Sequence, residues 1–397
     1  MAGLVILCGA YVLSQFFRAF LAVLTPALQQ EVGATSGDLA LASGLWFAAF
    51  ALMQFPVGAW LDRFGPRRTA AALLGVFGAG GVLVFAYAQS PTMIIVAMTL
   101  IGIGCAPVLM ASLFIFARTF DPAKFAFLTS LFIAIGNLGN IGSAAPLSIA
   151  VDAFAWRSVL VVIAVATALV AVLIFLIVRD PVKQDGEARG SGFKGYLTLM
   201  AIPALWFIFP AMLVNYAAAA GIRGLWAGPM LADVHGADAS LIGWVTLAMA
   251  FAMAIGSLAY GPLDTVFNTR KWVAFAGMAI GTVAMMVIAL NPSMPVWALT
   301  AMLVVIGATG VGYGVLMAHA KASFPAEMTG RGVTLLNFFS IGGVGLMQFL
   351  TGRLVSGLEV QGDASVTYSG LMWFYAGAFV LALAVYAFSR DRRPRET

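Results

Sequence analysis

The chain has 397 residues, 62% of them hydrophobic and only 9% charged, with a formal net charge of +5. A soluble domain carries roughly 45 to 50% apolar and about 25% charged residues, so this composition excludes a soluble enzyme or nucleic-acid-binding domain and points to a polytopic membrane protein. The two cysteines, Cys8 and Cys105, fall on separate apolar stretches and exclude a disulfide framework or a CxxC metal site.

Twelve apolar stretches, each long enough to cross ~30 Å of hydrocarbon as a helix, are expected at about 3–28, 39–61, 69–88, 92–117, 126–151, 158–178, 203–230, 240–263, 272–290, 296–320, 332–352 and 369–389. Nothing alternates apolar and polar residues as a closed β-barrel would. The first stretch begins almost at Met1 and has no small-residue cleavage site, so it reads as a retained helix and not a signal peptide. It carries Tyr11, Gln15 and Arg18, spaced four and three apart on one helical face. A charge at bilayer depth costs a few kcal/mol on insertion scales, so Arg18 is expected to face a cavity and mark a ligand pathway. Snorkelling of its long side chain to the outer interface is the alternative.

After the second stretch comes Gly58-Ala-Trp-Leu-Asp62-Arg63-Phe-Gly65-Pro-Arg67-Arg68. Gly65 permits a tight turn at the membrane surface, and Asp62 at the helix end can pair with the basic residues or cap a neighbouring helix. On the fifth stretch, Asn137 and Asn140 are three apart and present both amides to one side. They are candidate substrate ligands, ranked after the arginines and tyrosines, and the glycines around them fit close helix packing. Gln54, Tyr313, Asn337 and Gln348 are weaker candidates of the same kind.

The widest polar gap, 179–196, is rich in glycine and charge and divides the chain into 1–178, a linker 179–196, and 197–397. The second part repeats the first. Tyr216 and Arg223 on the seventh stretch follow Tyr11 and Arg18 by 205 positions, Ile306-Gly307 follows Ile101-Gly102 by 205, and Ile341-Gly342-Gly343-Val344-Gly345 answers Ile135-Gly136-Asn137-Leu138-Gly139 at 206. The fold class is therefore an all-α membrane protein with twelve transmembrane helices in two six-helix, pseudo-symmetric bundles. A midplane site is expected where such repeats meet. Gly261-Pro-Leu-Asp264-Thr-Val-Phe-Asn-Thr-Arg270-Lys271 is a degraded copy of the first signature loop in the matching position.

Two such loops in a six-plus-six chain resemble the major facilitator superfamily over the whole length of the sequence. The resemblance implies a secondary transporter working by alternating access, with Gly58, Asp62, Arg63, Gly65, Arg67, Arg68, Asp264 and Arg270 latching the cytoplasmic side of one end state. Family members coupled to protons often carry an arginine four residues before the glycine of the fourth helix; here that position is Met98. An arginine on the first helix and another on the seventh is similar to the organophosphate and organic-anion transporting members.

With the N-terminus inside, 17 of the 21 Lys and Arg fall in inner loops or the tail and only Arg157 and Arg353 outside, so both termini are expected in the cytoplasm and the chain in a bacterial-type inner membrane. No carboxylate is left at mid-membrane, which removes the usual proton relay and favours an exchanger or facilitator. The expected cargo is a small organic anion, a phosphate ester or carboxylate, gripped by the guanidinium forks of Arg18 and Arg223 with Tyr11, Tyr216 and Gln15 beside them. Copper is a second candidate cargo through Met249 and Met253, four apart on the eighth stretch. Neither His235 nor His319 has the methionine four residues on that such a route would need, so packing is the favoured role of the pair. An anionic cofactor such as a flavin phosphate would also suit two arginines, and a membrane sensor that keeps a transporter-like fold would share the same helices. No enzyme motif and no cofactor is implied, and the expected partners are the anion and the lipid bilayer, with the protein a monomer.

Overall fold

The computed structural model describes residues 2–120, 122–181, 194–324, 329–359 and 362–391, and every regular element among them is helical. Among the described residues, eleven helices are long and apolar enough to cross a membrane, and the bent pair Ala2–Phe16 and Leu21–Val32, taken as one span, brings the number to twelve. The others are Ser36–Leu61, Pro66–Ala86, Pro91–Phe116, Leu131–Ala153, Trp156–Ile177, Pro203–His235, Ala239–Val266, Lys271–Leu290, Val296–Lys321, Thr334–Glu359 and Ala364–Tyr386. They are numbered here as the first to twelfth spans. Their ends follow local chemistry. Gly33, left-handed at φ 68°, closes the first span, and Thr35 and Asp38 form a reciprocal capping box at the start of the second.

By contacts the chain falls into two units: Met1–Gln184 with Gly224–Ala232 and Ala237–Leu247, and Asp185–Arg223 with Asp233–Gly236 and Ala248–Thr397. In the first unit the first span packs along the fifth, the second along the fourth, and the third against the fourth and sixth. In the second unit the seventh packs along the eleventh, and the ninth against the tenth and twelfth. The duplication is therefore visible as the same neighbour relations in each unit.

Glycine sets the closest of these seams. A methyl group on Gly139 would overlap Val12 O across the first and fifth spans, and one on Gly343 would overlap Leu213 O across the seventh and eleventh. Gly102 lies against Trp46 O, and its repeat mate Gly307 against Met249 O at 3.1 Å from where a Cβ would stand. Lipid offers no hydrophobic drive for helix association, so close backbone approach at small residues supplies the dispersion contacts that hold a bundle together. The repeated glycines are thus packing positions. The fifth-span seam is matched by Gly343, two residues before the Gly345 that the sequence pairing offers.

Each unit also ties down one interhelical loop with an aspartate that follows its last span. Asp180 accepts a hydrogen bond from Arg67 N at 2.8 Å and lies 3.7 Å from Arg67 Nε, so it caps the third span. Gly65, at φ 86°, has no room for a side chain because the Asp180 carboxylate lies where one would start, 2.8 Å away. Asp391 accepts from Lys271 N at 3.1 Å and from Thr269 Oγ1 at 2.6 Å, capping the ninth span in the same way. Partial burial pushes the Asp391 carboxyl up, but these hydrogen bonds and the neighbouring His319 outweigh it, and the net shift is below the usual carboxylate range. His319 completes this corner: its Nε2 is 2.9 Å from Arg390 O and its Nδ1 2.7 Å from the Tyr386 hydroxyl.

Candidate functional site

Arg18 sits where the first span breaks. Residues 17–20 form a turn between the two helical segments, which meet at 51°. The hydrogen bonds there shorten to Arg18 N→Gln15 O and Ala19 N→Phe16 O, three residues back instead of four. The half-buried guanidinium lies 5.7 Å from the Trp46 ring centroid and 5.1 Å from that of Phe50. Those two rings are a turn apart on the second span and stack on each other at 5.3 Å and 15°. The ring faces attract the cation, and among the described residues no carboxylate forms an ion pair with it. Arg18 Nε is buried and has no hydrogen-bond partner among the described residues, and the same is true of the Trp46 indole nitrogen, whose side chain is fully buried.

The two other candidates on this face are linked. Gln15 Nε2 donates to the Tyr11 hydroxyl at 3.2 Å, and both residues are buried. Tyr11 stacks on Phe132 at 4.9 Å and covers Gly136, so it is packed between the first and fifth spans, with Gln15 hydrogen-bonded to its hydroxyl. Asn140 Nδ2 donates to Asn137 Oδ1 at 3.3 Å, so the two amides on the fifth span do lie on one side. Gln54 donates to Phe50 O and Ala106 O and ties the second span to the fourth.

In the second unit, Arg223 is 3% exposed and lies in a π-helical stretch, Ile222–Trp226, inside the seventh span. Tyr216 is half-buried on the same span. Wide turns of this kind are frequent at functional positions, where the extra residue breaks the regular hydrogen-bond ladder, and another lies at Leu74–Ala79 in the third span. The tenth span is broken too, at Gly310–Gly312. There Thr309 O accepts from Tyr260 Oη at 3.0 Å and from Asn215 Nδ2 at 3.5 Å. Neither Asn215 nor Tyr260 stands out in the sequence, although Asn215 is next to Tyr216. Tyr313 donates to Asn337 at 3.4 Å, while Gln348 is fully buried on the eleventh span.

The remaining candidates sit away from these breaks. Arg67 pairs with Asp180, and its guanidinium lies 5.4 Å from the Phe175 ring; Arg63 lies over Phe64 and Arg68 is exposed. Arg270 Nε is 3.6 Å from Asp264, while a Cβ on Gly58 would meet nothing within 4 Å. The Asp62 side chain and most of the 179–196 linker lie outside the described residues. Met249 and Met253 are buried, with Gly307 of the tenth span packed against them. Among the described residues, every Asp or Glu within a span stands in its terminal turn. Asp233, near the end of the seventh span, takes a hydrogen bond from Tyr368 and is the one such group tied to a buried hydroxyl.

The family model described as Major Facilitator Superfamily matches residues 7–225 and again 208–397. An uncharacterized transporter, YybO of Bacillus subtilis (strain 168), is 28% identical over 152 residues, 38% of this chain and 35% of that protein. A probable sulfoacetate transporter, SauU of Cupriavidus necator, is 25% identical over 159 residues, 40% of this chain and 36% of that protein. Both matches span only about a third of the relative. A solved structure of a bacterial homolog to the human lysosomal transporter Spinster superposes with a TM-score of 0.75 at 20% identity, covering 97% of this chain and 96% of that one. At that identity the likeness speaks for the fold. Two family matches that together span nearly the whole chain, on a framework of twelve spans in two repeated bundles, make this chain a member of the major facilitator superfamily.

Proposed function

We propose that the chain moves a small organic anion, a carboxylate, sulfonate or phosphate ester, across a bacterial plasma membrane by alternating access, as an exchanger or facilitator. Arg18 and Arg223 are its anion-binding cations, and both termini face the cytoplasm. The observation that carries this reading is that each first span of a repeat is irregular at its arginine: a 51° break at Arg18 and a π-helical stretch at Arg223. Discontinuous spans free backbone groups and turn helix ends toward substrate, and they recur at transporter binding sites. Arg18 rests on rings and not on a carboxylate, so its charge is free for cargo. The part-length likeness to a probable sulfoacetate transporter agrees with an anionic cargo. The carboxylates stand at span ends, which supports exchange or facilitation over proton symport.

A thermal-shift screen of the purified protein tests the reading. A ligand that binds only the native state adds about 2.7 kcal/mol at a hundred times its Kd, a shift of several degrees. At least one small anion, with sulfoacetate the first to try, is expected to raise the melting temperature of wild type and not of Arg18→Ala. A flat response to carboxylates, sulfonates and phosphate esters alike would remove the anion reading.

A further inference from the structure

A cavity of about 600 Å³ lies between the eighth and ninth spans, within the second unit, and neither arginine lines it. The eighth span and the turn after it line it from Ile255 to Phe267, the ninth from Trp272 to Ile280, and the tenth supplies Ala308 and Thr309. Small residues open it. A methyl group on Gly256 would overlap Ala308 O, so the eighth and tenth spans close there, while Ala259 and Ala276 leave the space between the eighth and ninth unfilled. The hydroxyls on its wall are already engaged within the protein: Tyr260 Oη donates to Thr309 O at 3.0 Å, Thr309 Oγ1 to Val305 O at 2.8 Å and Thr269 Oγ1 to Asp391 at 2.6 Å. What is left to cover is apolar, which suits a hydrocarbon chain and not a polar cargo.

From Phe267 at the loop to Ile255 the cavity follows about three turns of helix, ~17 Å, close to half of the ~30 Å hydrocarbon core. It therefore runs from one membrane surface to the midplane, the depth of one acyl chain in a lipid leaflet. Ile255, Phe267 and Ile280 are each more than half exposed, as are Leu258, Val283 and Leu290 on the same two spans, so the groove is continuous with the apolar face these spans turn to the bilayer. At its loop end stands Trp272, a ring type enriched at membrane surfaces, with Lys271 Nζ 4.9 Å from its centroid. Arg270, Lys271 and Arg390 outnumber Asp264 and Asp391 at this corner, a positive balance that suits the phosphate of a head group. We propose that the groove is a binding site for an anionic phospholipid: one acyl chain lies between the eighth and ninth spans and the head group meets the Lys271 and Trp272 end, on the cytoplasmic side under the orientation proposed above. The site is separate from Arg18 and Arg223 and stands whether or not they bind an anion.

The test is native mass spectrometry of the delipidated protein in detergent, titrated with dioleoylphosphatidylglycerol or dioleoylphosphatidylcholine. Wild type is expected to take up one phosphatidylglycerol at least about tenfold more tightly than the next, and to prefer it to phosphatidylcholine by a similar factor, the order that two basic residues near a membrane surface supply. Ala276→Phe puts a ring into the groove from the ninth span and Ala259→Phe from the eighth; both positions are exposed, so the ring displaces lipid and not core. Each should weaken the first step to the level of the later ones, while Val162→Phe, on the exposed face of the sixth span, should leave it unchanged. If one groove variant does not fold, the other is read alone. Tight uptake of one phosphatidylglycerol by a folded groove variant, equal binding of first and later lipids by wild type, or no preference over phosphatidylcholine would overturn the proposal. So would a wild-type dimer that either groove variant splits into monomers, because the occupant would then be a second copy of the chain.

Discussion

Replacing Arg18 or Arg223 with alanine should weaken substrate binding by a factor of roughly thirty to several thousand, the equivalent of ~2 to 5 kcal/mol for removing one partner of a buried charge-assisted contact. Lysine is the sharper probe. It keeps the charge but loses the planar fork, so Arg18→Lys and Arg223→Lys should also bind measurably more weakly than wild type. A snorkelling arginine would behave differently, because only its charge and stem are used and lysine supplies both. Arg18 is half-buried against Trp46 and Phe50, and Arg223 is 3% exposed, so the two differ in how much room a snorkelling side chain would have. Binding of the anion found by thermal shift, to variants that elute as single species, checks this. Lysine variants that bind like wild type would exclude the two-arginine site.

Gly139→Ala should cost the fold heavily, because the overlap falls on backbone. The added carbon would overlap Val12 O and stand 2.8 Å from Phe16 N, and backbone atoms of a packed helix cannot turn aside as a side chain can. Crowding of this kind costs ~1 to 3 kcal/mol and sometimes more, enough to lower the melting temperature by several degrees or prevent assembly. Gly9→Ala is the control: nothing lies within 4 Å of the new methyl, and alanine has the better helix propensity, so stability should be equal or slightly higher. Melting in detergent distinguishes the two. Equal stability of both variants would mean that the first and fifth spans are not packed through Gly139.

The spans were legible because a hydrocarbon slab demands about twenty apolar residues at a time, a signal that composition carries directly. The breaks within them were not. Phe17-Arg18-Ala19-Phe20 contains no glycine or proline, and Ile222–Trp226 shows no mark of its wide turn beyond Gly224, since both irregularities depend on what packs alongside. The arginines could be read because charge in a membrane is costly, whereas Trp46 and Phe50 look like any core aromatics until Arg18 is seen against them. One signal was present and unread: Arg179-Asp180 and Arg390-Asp391 are the same dipeptide after the last span of each repeat, and both aspartates cap a helix. Tyr11 was legible as a neighbour of Arg18 but not as a packed ring, because its stacking partner Phe132 lies far along the chain.

Counterflow in proteoliposomes measures the central claim most directly. Vesicles loaded with an unlabelled anion and diluted into the labelled compound should accumulate label transiently, and should go on doing so when a protonophore collapses the pH gradient, because exchange needs no proton site. Neutral solutes such as uridine should not compete. Exchange of a neutral solute with no response to any anion, or anion exchange abolished by the protonophore, would contradict the account.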